Sequence, residues 1–263
     1  MDISRLGACL SLWGHNLATG QILDPIIPLQ AMPELAQGLL MTIKLISVSL
    51  LLGICLAVPL ALCRVSANPF LKWPVYAYTY FFRGTPLLIQ IFLIYYGSGQ
   101  FAWIKDTWLW TYVFIDPWWP SVIAFTLNTA AYTTEILRGA IQAVPLGEIE
   151  AARALGMSKG LIYRRIVLPR AFRLMLPAYS NEVIFTLQAS SIASVVTLQE
   201  LTKVTQIAIA RTFGIFELYL TIAAIYLCLT YAIVWAFRVW EHRWSAHLRE
   251  RPAEPQIGLV VQH

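Results

Sequence analysis

The stretch EAARALGMSKGLIYRRIVLP, Glu150 to Pro169, is charged, basic and sharply patterned in a chain otherwise suited to lipid. Just upstream, Gly147-Glu148-Ile149-Glu150-Ala151-Ala152 reads as the opening of a helix whose acids complement the positive end of the helix dipole. Leu155 and Gly156 read as its end, the glycine being free to adopt positive φ. Ser158 is placed to cap a second helix, in which Ile162, Ile166 and Val167 form an apolar stripe and Arg164, Arg165, Arg170 and Arg173 a positive face. Pro169 is expected to break or kink that helix before the next apolar run. Segment 138–176 therefore reads as two short helices joined at a glycine, too long for a hairpin connection and too patterned for disorder. Such a loop can anchor to anionic lipid or act as a peg for a soluble partner. Ala151, Ala152 and Ala154 favour the peg, because small residues permit close approach in a groove and a lipid anchor does not need them.

What surrounds this loop is membrane-like. Of the 263 residues, 58% are hydrophobic and 13% charged, and a mean hydropathy of +0.63 is far above that of a soluble domain. A spanning helix needs about 20 apolar residues. Leu45–Cys63, Pro117–Thr134, Val183–Gln199 and Leu218–Phe237 qualify and lack Asp, Glu, Lys and Arg. A fifth span is expected over Tyr76–Ser98, although Arg83 lies inside it, followed by Gly84-Thr85-Pro86, so that the helix either starts near Arg83 or begins earlier and projects. The net charge of +5 is informative about orientation. Arg64, Lys72 and Arg83 flank the first connection, Arg138, Arg153, Lys159, Arg164, Arg165, Arg170 and Arg173 the third, and Arg238, Arg243, Arg249 and Arg251 the tail. The alternate connections hold only Lys105, or Lys203 and Arg211. By the positive-inside rule the N-terminus is outside, and the C-terminus and the 138–176 loop are cytoplasmic.

The remaining features point to anchoring rather than chemistry. Trp103, Trp108, Trp110, Trp118 and Trp119 in the outer connection have the composition of an aromatic belt, an aromatic cation cage being the alternative. Cys9, Cys55, Cys63 and Cys228 show no CxxC spacing, and His15, His242, His247 and His263 share no ligand spacing, so neither a metal site nor a catalytic constellation is expected. The opening MDISRLGACLSLWGHNLATG, with its early acid and interrupted apolar run, reads as an extracytoplasmic or interfacial extension over 1–37 rather than a cleaved signal. Residues 38–245 then form the membrane domain and 246–263 a cytoplasmic tail, with Trp240 and Trp244 on one face of its flank. No GxxxxGK[ST] loop is present, so a nucleotide would have to be held by another subunit.

Glu150-Ala151-Ala152, three residues, Gly156, nine residues, then Ile166, Leu168 and Pro169 match the E-A-A-x3-G-x9-I-x-L-P pattern without a departure. The chain thereby resembles the permeases of ABC importers. The segments GLLMTIKLISVSLLLG, YFFRGTPLLIQIFLIYYG, TLNTAAYTTEILRGAIQAVPLGEIEAARALGM and LPAYSNEVI extend the resemblance to the polar amino acid branch, over roughly residues 38–245. The M-type subunits of histidine and lysine/arginine/ornithine importers are the most similar group, with opine importers close by. The resemblance implies an all-α membrane protein of the type I importer permease fold with about five spans, moving basic amino acids. The alternatives are an opine, or glutamine or another polar amino acid. It also implies a Q-type permease partner, a homodimeric ATPase that binds ATP and Mg, and a periplasmic solute-binding protein, all in the bacterial inner membrane or beside it. No cofactor is expected on this chain and no nucleic acid partner. Carried over residue by residue, ATPase coupling falls on Glu150, Ala151, Ala152, Arg153, Gly156, Ile166, Leu168 and Pro169, with Arg164 and Arg165 as electrostatic contacts.

A solute path is sought among polar residues in the spans, which are costly in lipid. Asn128, Thr129, Thr133 and Glu135 on the third span, and Asn181, Glu182, Gln188, Ser190 and Ser191 on the fourth, are candidates. Asn128 and Glu135 share a helical face, as do Asn181 and Gln188. Helix–helix hydrogen bonding uses the same residue types, and Glu135 and Glu182, read as lying near cytoplasmic ends, could pair with loop arginines. Where many relatives carry KDTSL, this chain has LQASSIAS, Leu187 to Ser194, a departure that bears on any ligand site carried over. Arg83 reads as a helix-end anchor, with gating as the alternative. An ion-driven secondary transporter is the distant alternative, but no inverted repeat is visible.

Overall fold

The computed structural model describes residues 26–244. These form ten α-helices: α1 Ile26–Val65, α2 Pro69–Gly84, α3 Leu87–Ser98, α4 Ala102–Lys105, α5 Trp118–Gln142, α6 Leu146–Ala154, α7 Lys159–Ile162, α8 Leu168–Ala189, α9 Leu201–Thr212 and α10 Ile215–Trp244. Among the described residues there is no strand, and short π- and 3-10-helical turns fill three of the junctions. The first 25 residues, the expected tail 246–263, and His15, His247 and His263 lie outside the described residues.

The spans are longer and more broken than the apolar runs suggest. The first is a 40-residue helix, about 60 Å at 1.5 Å per residue and so too long to stand upright in a bilayer core of about 30 Å. It begins at Ile26 rather than after residue 37. Its first turns are therefore part of the bundle, with Leu35 fully buried against Leu201 and Leu218. Pro33 and Pro59 lie inside it. The expected fourth span over Val183–Gln199 is instead α8, which starts at Leu168, followed by a 3-10 turn over Ser190–Val196. Apolarity alone hid this start, because the first turns of α8 carry Arg170 and Arg173 and lower the local hydropathy. The expected runs over Pro117–Thr134 and Leu218–Phe237 each fall on one helix, α5 and the 30-residue α10, and among the described residues α1 and α10 are long and apolar enough to cross a membrane.

The fifth expectation, one span over Tyr76–Ser98, is corrected to two helices. α2 ends at Gly84 and α3 begins at Leu87, with Thr85 and Pro86 extended between them. Pro86 has no N–H, and Thr85, preceding a proline, is driven out of the helical region. Pro169, in contrast, does not break its helix. The Leu168 N–H reaches the Tyr163 carbonyl across a π turn at Tyr163–Val167, and the wider turn accommodates the proline, so helical backbone runs on from Lys159 to Ala189.

Three apolar clusters hold the helices. One, the loop cluster, joins Ala61 of α1, Leu137 and Ile141 of α5, Ala152, Ile162 and Val167 of the loop and Met175 of α8. A second gathers around Leu45, Ile91, Phe125 and Val196, and a third joins the start of α1 to α9 and α10. α1 and α5 approach closely at Gly53, where a Cβ would meet the Thr129 methyl at 2.5 Å. In lipid such small-residue contacts replace the hydrophobic drive as the source of helix affinity.

Candidate functional site

The loop after α5 closes on itself through local bonds. Pro145 starts α6 and Glu148 lies in its first turn. At the other end Met157 N–H donates to Ala152 O at 3.1 Å and Gly156 N–H to Arg153 O at 2.9 Å. This is the Schellman arrangement, and it places Gly156 at φ +75°, where an L side chain would be strained. Ser158 stands at the start of α7 with extended backbone, as expected, but its side chain makes no cap hydrogen bond. A salt bridge of 3.3 Å from Arg170 to Glu148 ties α8 back to α6.

The closure sorts the loop into two faces. Ala152 is 3% exposed and packs, with Met157 and Ile162, into the loop cluster. It is therefore a core residue of the loop and not part of a peg's surface. The outward face is formed by Leu146 and Leu155, 73% and 83% exposed, with Glu150, Ala151, Arg153 and Ala154 between them. Arg164, Arg165 and Pro169 are exposed, Gly156 is exposed with no neighbour near its missing Cβ, and Ile166 and Leu168 are half-buried against the cluster.

The second feature lies where the α2–α3 break meets α5. Gln90, 3% exposed, directs its amide nitrogen at the Phe82 carbonyl (2.8 Å) and at the carbonyl and hydroxyl of Thr85 (3.0 and 2.8 Å). Asn128 donates to Phe82 O at 3.2 Å and to Gln90 Oε1 at 3.0 Å. Carbonyls released by the break are thus satisfied within the bundle, as the absence of water in a bilayer core requires. Asn128 lies ten residues into α5, about 15 Å along it from Trp118.

Beside this junction is a cleft of about 570 Å³ lined by Arg83, Thr85, Asn128, Thr129, Tyr132 and Glu182, with Phe185 and Thr186. Glu182 is 7% exposed and forms no salt bridge among the described residues. It lies about four turns into α8, away from the loop arginines at the start of that helix. Arg83, exposed in the last turn of α2, holds its guanidinium 5.2 Å over the Tyr132 ring and lines the cleft.

Of the polar candidates, then, Asn128, Thr129 and Glu182 come together. Thr133 is fully buried elsewhere on α5. Glu135 accepts from Arg64 at 3.0 Å and Arg138 at 2.6 Å. Asn181 and Gln188 are exposed on another face of α8. Ser190 and Ser191 donate to backbone carbonyls in the turn after it. Gln90, Arg83, Tyr132 and Thr186 complete the junction and cleft and were not among the candidates. The breaker sequence Gly84-Thr85-Pro86 was the one signal that could have pointed to them.

Residues 49–246 match the family described as "Binding-protein-dependent transport system inner membrane component". The chain is 43% identical to the nopaline transport system permease protein NocM of Agrobacterium fabrum, over 87% of this chain and 95% of that one. It is 42% identical to the histidine/lysine/arginine/ornithine transport system permease protein HisM of Escherichia coli, over 81% and 89%. A crystal structure of an amino acid ABC transporter with histidines superposes with a TM-score of 0.76 at 34% identity, covering 85% of this chain and all of that one. The MetNI methionine ABC transporter in an inward-facing conformation, 20% identical, shares the fold at a TM-score of 0.69. These matches, over most of a chain with this helical fold, have one meaning: the chain belongs to the binding-protein-dependent transport system inner membrane components, the permease subunits of ABC importers.

Proposed function

We propose that this permease moves basic amino acids across the inner membrane, with its N-terminus outside and its C-terminus and the 138–176 loop in the cytoplasm. The observation that carries the substrate class is the cleft, where the Glu182 carboxylate and the Arg83 guanidinium line one space. An amino acid offers a carboxylate for Arg83 and an ammonium or guanidinium for Glu182, and Asn128 and Thr129 add uncharged hydrogen-bonding groups. Relatives named for histidine, lysine, arginine and ornithine transport support the reading. The nopaline and octopine permeases, similarly identical, favour an opine as the second reading, since opines carry the same groups on a larger frame.

Energy enters through the loop. A homodimeric ATPase, holding ATP and Mg, docks on Leu146, Glu150, Ala151, Arg153, Ala154 and Leu155, with Arg164 and Arg165 at the rim and Gly156, Ile166, Leu168 and Pro169 shaping the loop from behind. Closure of the ATPase displaces the loop, and α5 and α8, which enter and leave it, carry the displacement to the cleft. This is a two-state element biased from a distant site. A Q-type permease completes the pore and a periplasmic solute-binding protein delivers the solute.

The test is uptake by proteoliposomes containing the full complex, with labelled arginine, histidine, glutamine and an opine in competition. Arginine or histidine is expected to be taken up with ATP and binding protein, and Glu182→Gln to raise the KM about tenfold or more, the loss of one charge-assisted contact of 1.5–3 kcal/mol. Selective uptake of the opine, or an unchanged KM in the variant, would contradict the substrate assignment.

A further inference from the structure

Glu135 stands outside the cleft and outside the loop, yet its carboxylate gathers groups from three helices. Arg64, in the last turn of α1, donates from Nε to Oε1 at 3.0 Å, and Arg138 of α5 from Nε to Oε2 at 2.6 Å. The Thr79 hydroxyl of α2 lies 3.3 Å from Oε1. The Arg64 guanidinium also sits 4.6 Å over the ring of Tyr76, again on α2, and Arg138 continues to Gln142 at 2.7 Å. The Arg64 and Glu135 side chains are each 12% exposed and that of Arg138 29%, so the carboxylate and its Arg64 partner are largely withdrawn from water while Arg138 opens toward it.

Its position matters as much as its bonds. Ile136 and Leu137, the next residues on α5, pack in the cluster that receives Ala152, Ile162 and Val167 of the loop, and Leu62 and Val65, on either side of Arg64, pack there too. Apolar helix faces can slide past one another at small cost, as in shear motions. A desolvated carboxylate shared by two guanidiniums cannot, because its bonds are directional and a half-broken cluster leaves an uncompensated charge.

We infer that Glu135, with Arg64 and Arg138, is a transmission clamp: a positioning residue that makes α1 and α2 follow α5 when the loop moves. The inference rests on the coupling reading above. Without the clamp, ATPase motion still reaches α5 and α8, but α2 keeps its hydrogen bonds to α5 only toward the break, where Asn128 meets Phe82 and Tyr78 meets Leu127, so that α2 and the break, which forms one wall of the cleft, follow incompletely. The signature is hydrolysis without transport.

The experiment measures uptake and ATP hydrolysis together in proteoliposomes containing the full complex, for the parent, Glu135→Gln, Arg64→Lys and Thr79→Val. The expected result is that Glu135→Gln assembles, hydrolyses ATP at or above the parental rate, and takes up at least about fivefold less solute per ATP, the lower end of ordinary coupling factors. Arg64→Lys, which keeps the charge and loses the Nε geometry, and Thr79→Val should show smaller losses in the same ratio. An unchanged ratio in Glu135→Gln would overturn the clamp while leaving the coupling reading intact. If Glu135→Gln fails to assemble, the ratio in Arg64→Lys and Thr79→Val decides, and parental values in both overturn the clamp. A parent complex without ATP-dependent uptake would remove the coupling reading, and the clamp with it.

Discussion

The loop after α5 and the cleft beside the α2–α3 break are built in opposite ways. The loop is made by near neighbours: a cap at Pro145, a Schellman closure over Ala152 to Met157, and a fresh helix start at Ser158. Water surrounds most of it, and its outward side chains bear no load within the chain. The cleft is made by residues far apart in sequence, with Asn128 reaching back to Phe82 and Gln90, and Glu182 arriving from α8. There every polar group needs a partner, because the lipid offers none. A change on the loop's outer face should thus alter partnership alone, whereas a change at the junction beside the cleft should alter the fold as well.

Substitutions that divide adjacent residues test this contrast most sharply. The largest effect is expected from Ala152→Trp, which forces an indole into a filled cluster. Overpacking costs about 1–3 kcal/mol or more, and the expected outcome is loss of the loop's fold, seen as proteolysis between α5 and α8 in the detergent-solubilised permease. Ala151→Trp, one residue away on the outer face, should leave that proteolysis pattern unchanged while preventing co-purification of the ATPase.

At the junction, Gln90→Leu removes the donor shared by the carbonyls of Phe82 and Thr85 and should lower stability by about 1–3 kcal/mol, the cost of a buried group left unpaired. Thermal unfolding of the permease, followed by circular dichroism, would show a lower midpoint, and an unchanged one would mean that the break does not depend on α5. A smaller effect is expected at Gly156, where the left-handed backbone should make Gly156→Ala cost about 1–2 kcal/mol and Gly156→Asn less. Equal unfolding midpoints for the two variants would argue against the Schellman closure.

The same contrast explains which parts were legible in the sequence. Gly156 could be assigned to a helix end because the signal lies within six residues, and the exposed acids and alanines follow a pattern with fixed spacing. Even there the inward turn of Ala152 was not visible, since a small residue suits a peg and a tight core equally well. The cleft was half visible. Asn128, Thr129 and Glu182 stood out as polar residues in apolar spans, but Glu135 and Gln188 stood out in the same way and lie elsewhere. Nothing local distinguishes an acid that meets Arg64, 71 positions away, from one that faces an open cleft. The break at Thr85-Pro86 was written in the residues, whereas its depth opposite Asn128 depends on how α2 and α3 pack on α5.

In the proposed mechanism an external ATPase drives this permease through the outer face of the loop. The most direct measurement is ATP-dependent solute uptake by the reconstituted complex carrying Leu155→Asp, which places a charge on one of the two leucines that bound that face, at a side chain 83% exposed within the chain. The account predicts that the variant inserts and folds as the parent does, that it no longer retains the ATPase, and that uptake falls to the level seen without ATP. Parental uptake in this variant, or uptake driven by an ion gradient with no ATPase present, would contradict it.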